Sequence, residues 1–186
     1  MLIVNAGQVA PQPWRNGGGR TREMLARPAG AAWALRVSLA DIESDGPFSA
    51  FEGVERWFAV VQGAGVRLRF DSGERWVRAG DAPIRFDAAQ APGCTLIDGP
   101  TRDLNLMVRG GVGAMLPAQA GLACSEHFDE RGLFTLCAGH WHAGAAAALR
   151  VEPHTLLWDL PDLSGSFVPA GAGPCGWWLG CSGGTR

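Results

Sequence analysis

Hydrophobic residues in this chain recur in short runs that are separated by turn-forming residues. The runs are rich in Val, Leu, Ile, Phe and Trp, and clusters of Gly, Pro and Asp, such as residues 45–47 and 98–100, interrupt them. Short strands with turn signals at near-regular spacing are typical of an all-β sandwich or barrel. We therefore predict little helix, and strands at residues 2–5, 21–26, 33–40, 56–62, 66–70, 75–78, 84–86, 94–97, 104–109, 133–137, 149–151, 155–159, 167–169 and 177–179.

The order strand, glycine turn, strand, gap, proline, strand occurs twice along the chain. Residues 57–86 show it first, and residues 133–159 show it again. A repeated antiparallel unit within one chain predicts two stacked β-barrel halves. The boundary between them is expected near residues 110–121.

Composition excludes several classes of protein. Hydrophobic residues make up 47% of the chain and charged residues 18%, a balance that is incompatible with a disordered chain. All 16 basic residues are arginine and the formal net charge is -2, so we expect no nucleic-acid partner. Because the chain lacks lysine, it can form neither a Schiff base nor a Walker-type phosphate site.

The sequence also bears on the cellular compartment. It shows no signal-peptide pattern and no apolar run long enough to span a membrane, so we expect a cytoplasmic protein without a membrane partner. The five cysteines are odd in number and include no C-x-x-C pair. This usage is typical of reduced, mostly buried thiols.

Two predicted strands carry polar side chains on one face. Arg36 and Ser38 alternate with apolar residues on strand 33–40, and Asp103 and Asn105 do so around strand 104–109. The solvated outer face of an antiparallel sheet would show this pattern. Alternatively, these faces line a barrel interior, where arginine, short polar side chains and a carboxylate would form a pocket for a small anionic molecule.

A glycine-rich loop at residues 14–19 is a second candidate for anion binding. Consecutive glycines after Asn16 permit positive φ angles and a close approach of the backbone to another group. The exposed N–H groups of Gly17 and Gly18 could then bind an anion as a nest. A flexible turn is the alternative, since no dinucleotide or phosphate-loop motif is present.

Four separated segments form a specific combination. They read WRNGGGRTRE (14–23), WALRVSLA (33–40), GPFSAFEGVER (46–56) and DGPTRDLNLMVR (98–109). In this order they resemble the HutD/Ves family. The resemblance implies two cupin-like β-barrels of the RmlC jelly-roll type, packed together as one compact bicupin. Residues 1–112 would form the N-terminal barrel with the Asn-Gly-Gly-Gly loop, and residues 113–186 a second, smaller half.

The resemblance also implies a regulatory function. One branch of the family is encoded among histidine-utilisation genes and is regarded as a modulator of that pathway without established enzymatic activity, whereas the other is associated with stress induction. We therefore expect a non-catalytic protein that needs no cofactor and senses a small carboxylate metabolite, with histidine degradation as its suspected source. The expected ligand-binding residues are Asn16, Gly17, Gly18, Glu23, Arg36, Ser38, Arg56, Asp103 and Asn105.

Histidine placement bears on a metal site. Many cupins bind a metal through a His-x-His pair on one strand, a glutamate and a later histidine, but the first barrel here contains no histidine. The second half contains His140 and His142 in a glycine-flanked turn context, and His154 follows. We expect no metal, and a site at these three histidines is the alternative.

Two further functions remain open at the level of sequence. A cupin-type isomerase, epimerase or hydrolase acting on a small carboxylate could use Glu23 or Asp103 as its general base, with or without a metal. An interaction protein could instead use the second half, which is rich in Ala and Trp, as a homodimer face.

Overall fold

A computed structural model describes residues 1–144, 146–160 and 165–183 of the chain. The strands in chain order are β1 (Leu2–Asn5), β2 (Gln12–Pro13), β3 (Gly19–Arg27), β4 (Leu35–Ile42), β5 (Gly46–Pro47), β6 (Val54–Gln62), β7 (Val66–Phe70), β8 (Gly73–Val77), β9 (Ile84–Asp87), β10 (Gly93–Leu96), β11 (Thr101–Arg109), β12 (Val112–Pro117), β13 (Glu130–Thr135), β14 (Gly139–Ala143), β15 (Leu149–Val151), β16 (Thr155–Trp158), β17 (Gly165–Pro169) and β18 (Gly176–Ser182). Two short 3-10 helices, Ala6–Gln8 and Ala88–Gln90, are the helical elements of the described residues. The all-β fold class with little helix is thereby confirmed.

The strands form two compact units. The N-terminal unit contains Ala10–Gly113, and the C-terminal unit contains Met1–Val9 together with Ala114–Ser182. The expected boundary at residues 112 and 113 assigned the first strand to the N-terminal barrel, whereas β1 pairs with β16 in the C-terminal unit. A strand of four residues carries no local signal for its partner, because its membership is decided by pairing across the whole chain.

The N-terminal unit consists of two antiparallel sheets. The six-stranded sheet has the order β2-β3-β4-β11-β6-β9, and the four-stranded sheet has the order β5-β10-β7-β8. Residues at alternate positions of both sheets form one hydrophobic cluster, as in other two-sheet β proteins. Its buried members are Ile42, Phe48, Phe58, Val60, Val66, Leu68, Phe70, Val77 and Cys94.

Strands β4 and β11 are buried on both faces. Leu35, Val37 and Leu39 are fully buried on one face of β4, and Ser38 on the opposite face is only 3% exposed. On β11, Asn105 is 2% exposed. The polar faces identified in the sequence therefore lie in the interior and are not a solvated outer surface. The alternation of apolar and polar residues looks the same in the sequence whether the polar face is solvated or buried. Burial of both faces arises only when the sheets assemble.

The interior of the C-terminal unit is filled by large side chains. Its sheets have the orders β1-β16-β13-β18-β12 and β15-β14-β17. Trp141 and Trp178 pack edge to face with ring centroids 5.9 Å apart, among Leu133, Leu157 and Phe167. Among the described residues, the space beside these rings is too small for a ligand of metabolite size.

Strand β14 corrects one expectation. The His140-Trp141-His142 segment was predicted to lie in a turn because glycines flank it, but Gly139–Ala143 is a strand paired with both β15 and β17. Glycine is required at one neighbouring position, since a Cβ at Gly165 would overlap the Trp141 ring. No helix in the described ranges is long and apolar enough to cross a membrane.

A buried hydroxyl on β13 supplies a first test of the fold. The Thr135 side chain is fully buried; its Oγ1 donates to the Glu152 carbonyl (3.0 Å) and accepts from the Thr155 N–H (3.2 Å). Thr135→Val keeps the shape but leaves the buried Thr155 N–H without this acceptor, while the Glu152 carbonyl keeps its bond from the Thr155 hydroxyl (2.8 Å), so we expect a loss of about 1–3 kcal/mol in unfolding free energy. Urea unfolding measures this loss. The control is Thr95→Val at a half-buried position on β10, which should change the unfolding free energy by less than about 0.5 kcal/mol. Equal losses in the two variants would refute a structural role for the Thr135 hydroxyl.

Candidate functional site

The N-terminal unit contains a cavity of about 440 Å³. Strands β3, β4, β6 and β11 supply one wall, and the segments around β2 and β5 supply the remainder. This volume lies in the range of small-molecule sites. The lining residues are Gln12, Pro13, Trp14, Arg15, Asn16, Thr21, Arg36, Ser38, Ala40, Pro47, Phe48, Ser49, Phe51, Arg56, Asn105 and Met107.

Strand register brings the polar wall together. Asn105 on β11 lies opposite Ser38 on β4, and Met107 lies opposite Arg36 on β4 and Arg56 on β6. Residues that are directly opposite in an antiparallel pair project from the same face. Ser38 is 67 residues from Asn105 in sequence and Arg56 is 49 residues from it, so they contribute to one surface only because β11 pairs with both β4 and β6.

Arg56 is the buried cation of this wall. Its Nε and Nη2 both donate to Asn105 Oδ1, at 2.9 and 2.6 Å, and its guanidinium lies 4.2 Å from the centre of the Phe48 ring. Burial lowers the pKa of Arg56 to about 10, since removal of water disfavours the charged form. At neutral pH the group remains a cation, held by an amide oxygen and aromatic rings.

Arg36 is the second cation of the wall. Its Nε donates to Glu23 Oε2 at 2.8 Å, and its guanidinium lies 5.8 Å from the Trp33 ring centre. This bond fixes the stem of the side chain. In the part of the chain that the structure describes, the two Nη nitrogens donate to no protein group. They are therefore oriented donors at a cavity wall, suited to a carboxylate oxygen.

Asp103 lies on the same face of β11 as Asn105 but does not line the cavity. It is fully buried, and its Oδ2 accepts from the Thr101 hydroxyl at 2.8 Å, while its Oδ1 has no hydrogen-bond partner among the described residues. Burial raises the pKa of Asp103 to about 8, against the opposing effects of the Thr101 bond and the Arg56 charge. Asp103 is therefore mostly a neutral carboxylic acid at neutral pH.

The glycine loop is closed on itself. The Gly17 N–H donates to the Trp14 carbonyl (3.0 Å), and the Gly18 N–H donates to Asn16 Oδ1 (3.0 Å). These amides are therefore not free for an anion. Gly19 is required for a different reason, since a Cβ there would overlap the backbone of Asp41 on the paired strand.

The nine residues expected at the site divide into three groups. Asn16, Arg36, Ser38, Arg56 and Asn105 line the cavity. Glu23 and Asp103 do not line it, but each is hydrogen-bonded to a residue that does, Glu23 to Arg36 and the Asp103 carbonyl to Asn105. Gly17 and Gly18 belong to the closed loop. Direct contact of the last two groups with a ligand stays a prediction, because strand alternation specifies a face but not whether a side chain reaches the cavity.

Several lining residues were missed. Ala40 and Met107 lie on the same strand faces as Ser38 and Asn105. The sequence pattern did not indicate them as site residues, because their side chains are apolar. Phe48, Ser49 and Phe51 lie in the third segment that resembles the family, residues 46–56. The resemblance indicates that segment as a whole and not these three as cavity residues. Gln12 carries no sequence signal, since β2 is two residues long.

The charge of the lining is one-sided. Arg15, Arg36 and Arg56 line the cavity, and no carboxylate is among the lining residues. Trp14, Phe48 and Phe51 add aromatic surface, and the Trp14 indole N–H is held by the Thr21 hydroxyl at 2.7 Å. The arrangement suits a small organic anion with a flat or apolar portion.

The three histidines of the alternative metal site are not brought together. His140 and His142 are exposed on β14, whereas the ring of His154 stacks on Phe134 of β13 with centroids 6.1 Å apart. Among the described residues, no group of three or more metal-ligating side chains is positioned to hold an ion.

Comparison with known proteins gives a family match over most of the chain. The HutD family model matches residues 6–162. A Pseudomonas putida protein described as an uncharacterized 21.2 kDa protein in the hutC 3' region is 38% identical over 111 residues, which cover 58% of this chain and 57% of that protein. The chain thus spans about half the length of the curated relatives it matches.

Two solved structures match nearly the whole chain. A conserved protein of unknown function from Pseudomonas aeruginosa PAO1 has a TM-score of 0.82 at 26% identity, and the match covers 98% of both chains. HutD from Pseudomonas fluorescens SBW25, described as a formate-condition structure, has a TM-score of 0.79 at 25% identity, again over 98% of both chains. Both units of the fold are therefore shared with these proteins.

Proposed function

Because this chain belongs to the HutD family, we propose that it is a non-catalytic protein of two cupin-like units that binds a small carboxylate metabolite in the cavity of its N-terminal unit. We further propose that it modulates histidine utilisation. The second proposal is supported by the position of the Pseudomonas putida relative beside hutC, as its description states.

The main support for carboxylate binding is the pair of arginines on a cavity wall that contains no carboxylate. Arg36 is oriented by Glu23 through Nε, which leaves its Nη donors for a ligand. Arg56 is buried and bonded to a neutral amide, so its charge is not compensated by direct contact. The buried Arg56 charge favours an anion in the cavity, and the Nη donors of Arg36, whose charge is paired with Glu23, match the geometry of a carboxylate.

The position of the acidic residues favours binding over acid–base catalysis. A general base must come within hydrogen-bond reach of the proton that it abstracts. Glu23 is engaged with Arg36, and Asp103 is fully buried; neither is among the residues that line the cavity. Their placement therefore favours binding of a ligand over abstraction of a proton from it.

A thermal-shift panel tests the proposed ligand class. The panel contains histidine, urocanate, formylglutamate, formiminoglutamate, pyroglutamate, glutamate and formate, each beside the amide of its carboxyl group. A ligand at 100 times its Kd adds about 2.7 kcal/mol to stability, which raises the melting temperature by several degrees. We expect at least one carboxylate, and none of the amides, to produce this shift. Equal shifts from acid and amide, or none at all, would overturn the proposal.

Substitution at the second cation locates the site. Arg36→Ala is expected to weaken binding of the most stabilising carboxylate about tenfold or more, because a charged hydrogen bond is lost. Isothermal titration calorimetry measures the change. The control is Arg69→Ala, an exposed arginine on β7 that does not line the cavity. If both variants bind as the wild type does, the ligand lies elsewhere.

A further inference from the structure

We propose that ligand binding in the cavity is coupled to a proton on Asp103, because the ligand carboxylate and the Asp103 carboxylate compete as the counter-ion of Arg56. The proposal rests on the function proposed above, from which it takes the site and the ligand class. It adds a proton as a regulator of that site.

Arg56 lacks a counter-ion in contact with it. Its bonded partner is Asn105 Oδ1, and its guanidinium is surrounded by the rings of Phe48, Phe58 and Phe86 at 4.2, 5.8 and 5.7 Å. Within the described ranges, no carboxylate forms an ion pair with it. A buried cation held only by neutral groups gains from any anion that reaches it.

Asp103 is the corresponding buried acid. It has no exposed surface, and one of its two oxygens makes no hydrogen bond to any residue that the structure describes. An ionised carboxylate in such a site would be strongly disfavoured, because it lacks both water and a full set of donors. The burial and the unpartnered Oδ1 therefore favour the protonated state independently of any titration value.

Asn105 connects the two groups. It accepts both Arg56 bonds on Oδ1, and its Nδ2 donates to the Asp103 carbonyl oxygen at 3.3 Å. Asp103 and Asn105 are two residues apart on β11, so their Cα atoms are about 7 Å apart and their side chains share a face. Arg56 and Asp103 thus lie within the range of strong electrostatic interaction in a medium of low dielectric.

Two other titratable groups near Asp103, Cys94 and Asp41, cannot serve as its cationic partner in place of Arg56. Cys94 on β10 is kept as a neutral thiol, since burial and the charges of Asp103 and Asp45 raise its pKa to about 12. For Asp41 on β4, burial acts to raise the pKa, but hydrogen bonds from Arg102 and Arg22 outweigh burial, and the pKa is lowered. Asp41 is thus an anion already paired, and it can only hinder ionisation of Asp103.

The sign of the coupling follows from these charges. With Asp103 protonated, the Arg56 charge is uncompensated and attracts a carboxylate ligand. With Asp103 ionised, its charge compensates Arg56 and repels the ligand. Affinity should therefore fall as pH rises through the pKa of Asp103, approaching tenfold per pH unit when the two anions exclude each other. Conversely, a bound carboxylate raises the pKa of Asp103, and binding takes up a proton.

Formate is the probe for this coupling, because it is the smallest carboxylate and stays ionised over the range tested. The side-chain carboxyl carbon of Asp103 is followed by NMR from about pH 6 to pH 10, with formate or with equal ionic strength of chloride. The Kd of formate is measured over the same range from amide shifts at the cavity. We expect the Asp103 titration to move upward in formate, and the Kd to rise at least about tenfold between the two ends of the range.

Two variants make the test specific. Asp103→Asn should bind formate with a Kd that is independent of pH up to about pH 9, below the pKa of about 10 for Arg56, whereas Asp71→Asn, at an exposed turn, should keep the wild-type dependence. Arg56→Met should raise the midpoint of the Asp103 titration without any ligand, which checks the contact between the two groups if Asp103→Asn fails to fold.

The outcomes separate the two proposals. If formate perturbs the cavity signals but leaves the Asp103 titration unmoved and the Kd flat with pH, the coupling is wrong and the binding function stands. An Asp103 that is fully ionised at neutral pH also overturns the coupling. If formate perturbs no cavity signal and the carboxylates of the thermal-shift panel are inactive as well, the proposed function fails, and the coupling fails with it.

Discussion

Arg56→Met is expected to weaken carboxylate binding at least about 100-fold while changing the unfolding free energy by no more than about 1 kcal/mol. The loss in affinity is large because the guanidinium is buried, is held in place by two bonds to Asn105 and has no counter-ion in contact among the described residues. Removal of such a group from a bound anion leaves that anion desolvated and unpaired.

The stability of the same variant should be nearly unchanged, since two effects oppose each other. Methionine fills a similar volume among Phe48, Phe58 and Phe86 and removes the cost of burying an unpaired cation. Against this, Asn105 Oδ1 loses both of its donors, which costs about 1–3 kcal/mol. Burial of a charge and burial of an unbonded amide oxygen are penalties of similar size here.

Calorimetric titration with the most stabilising carboxylate of the panel, together with urea unfolding, measures both quantities. Arg69→Met is the matched control, because it makes the same change on the outer face of β7 and should leave affinity within about twofold. Arg56→Lys should be intermediate, since it keeps the charge but not the two-pronged geometry. An Arg56→Met protein that binds like the wild type would remove Arg56 from the site.

Asp103→Asn is expected to make the protein more stable than the wild type at alkaline pH, by an amount that increases with pH. The carboxyl has an ordinary pKa of 3.8 and a pKa of about 8 in the fold, because burial disfavours its charged form. Between these two values the folded state binds the proton and the unfolded state releases it. The stability of the wild type therefore falls as pH rises through this window, and the fall ends above the folded pKa.

The width of the pH range between the two pKa values sets the size of this stability difference. Each pH unit in that range changes the difference in unfolding free energy by about 1.4 kcal/mol. The unfolding free energy of Asp103→Asn should therefore rise relative to that of the wild type by on the order of 5 kcal/mol from about pH 4 to pH 8. Asp41, whose pKa is lowered, has the opposite dependence and cancels when the two proteins are compared at each pH. Urea unfolding at about pH 5, pH 7 and pH 9 gives the difference. A constant difference, or one that shrinks with pH, would show that Asp103 is ionised in the fold.

The sequence alone determined the strands and their two faces. A side-chain period of two is imposed by the extended backbone, so Arg36 with Ser38, and Asp103 with Asn105, had to share faces wherever these strands lay. Turn residues located the ends of most strands, and the family-like segments located the glycine loop. The missed strands β2, β5, β12 and β14 are short or glycine-rich, so their formation depends on a partner strand.

Only the tertiary structure decided which polar face became a site and how deep each residue lies in it. Arg56 and Arg67 both follow an alternating pattern, yet the pairing of β6 with β11 buries Arg56 beside Asn105, while Arg67 on β7 is directed away from the core. The same pairing places Asp103 in the interior, without solvent. Burial, charge compensation and pKa depend on neighbours that are distant in sequence, and no local pattern encodes those neighbours.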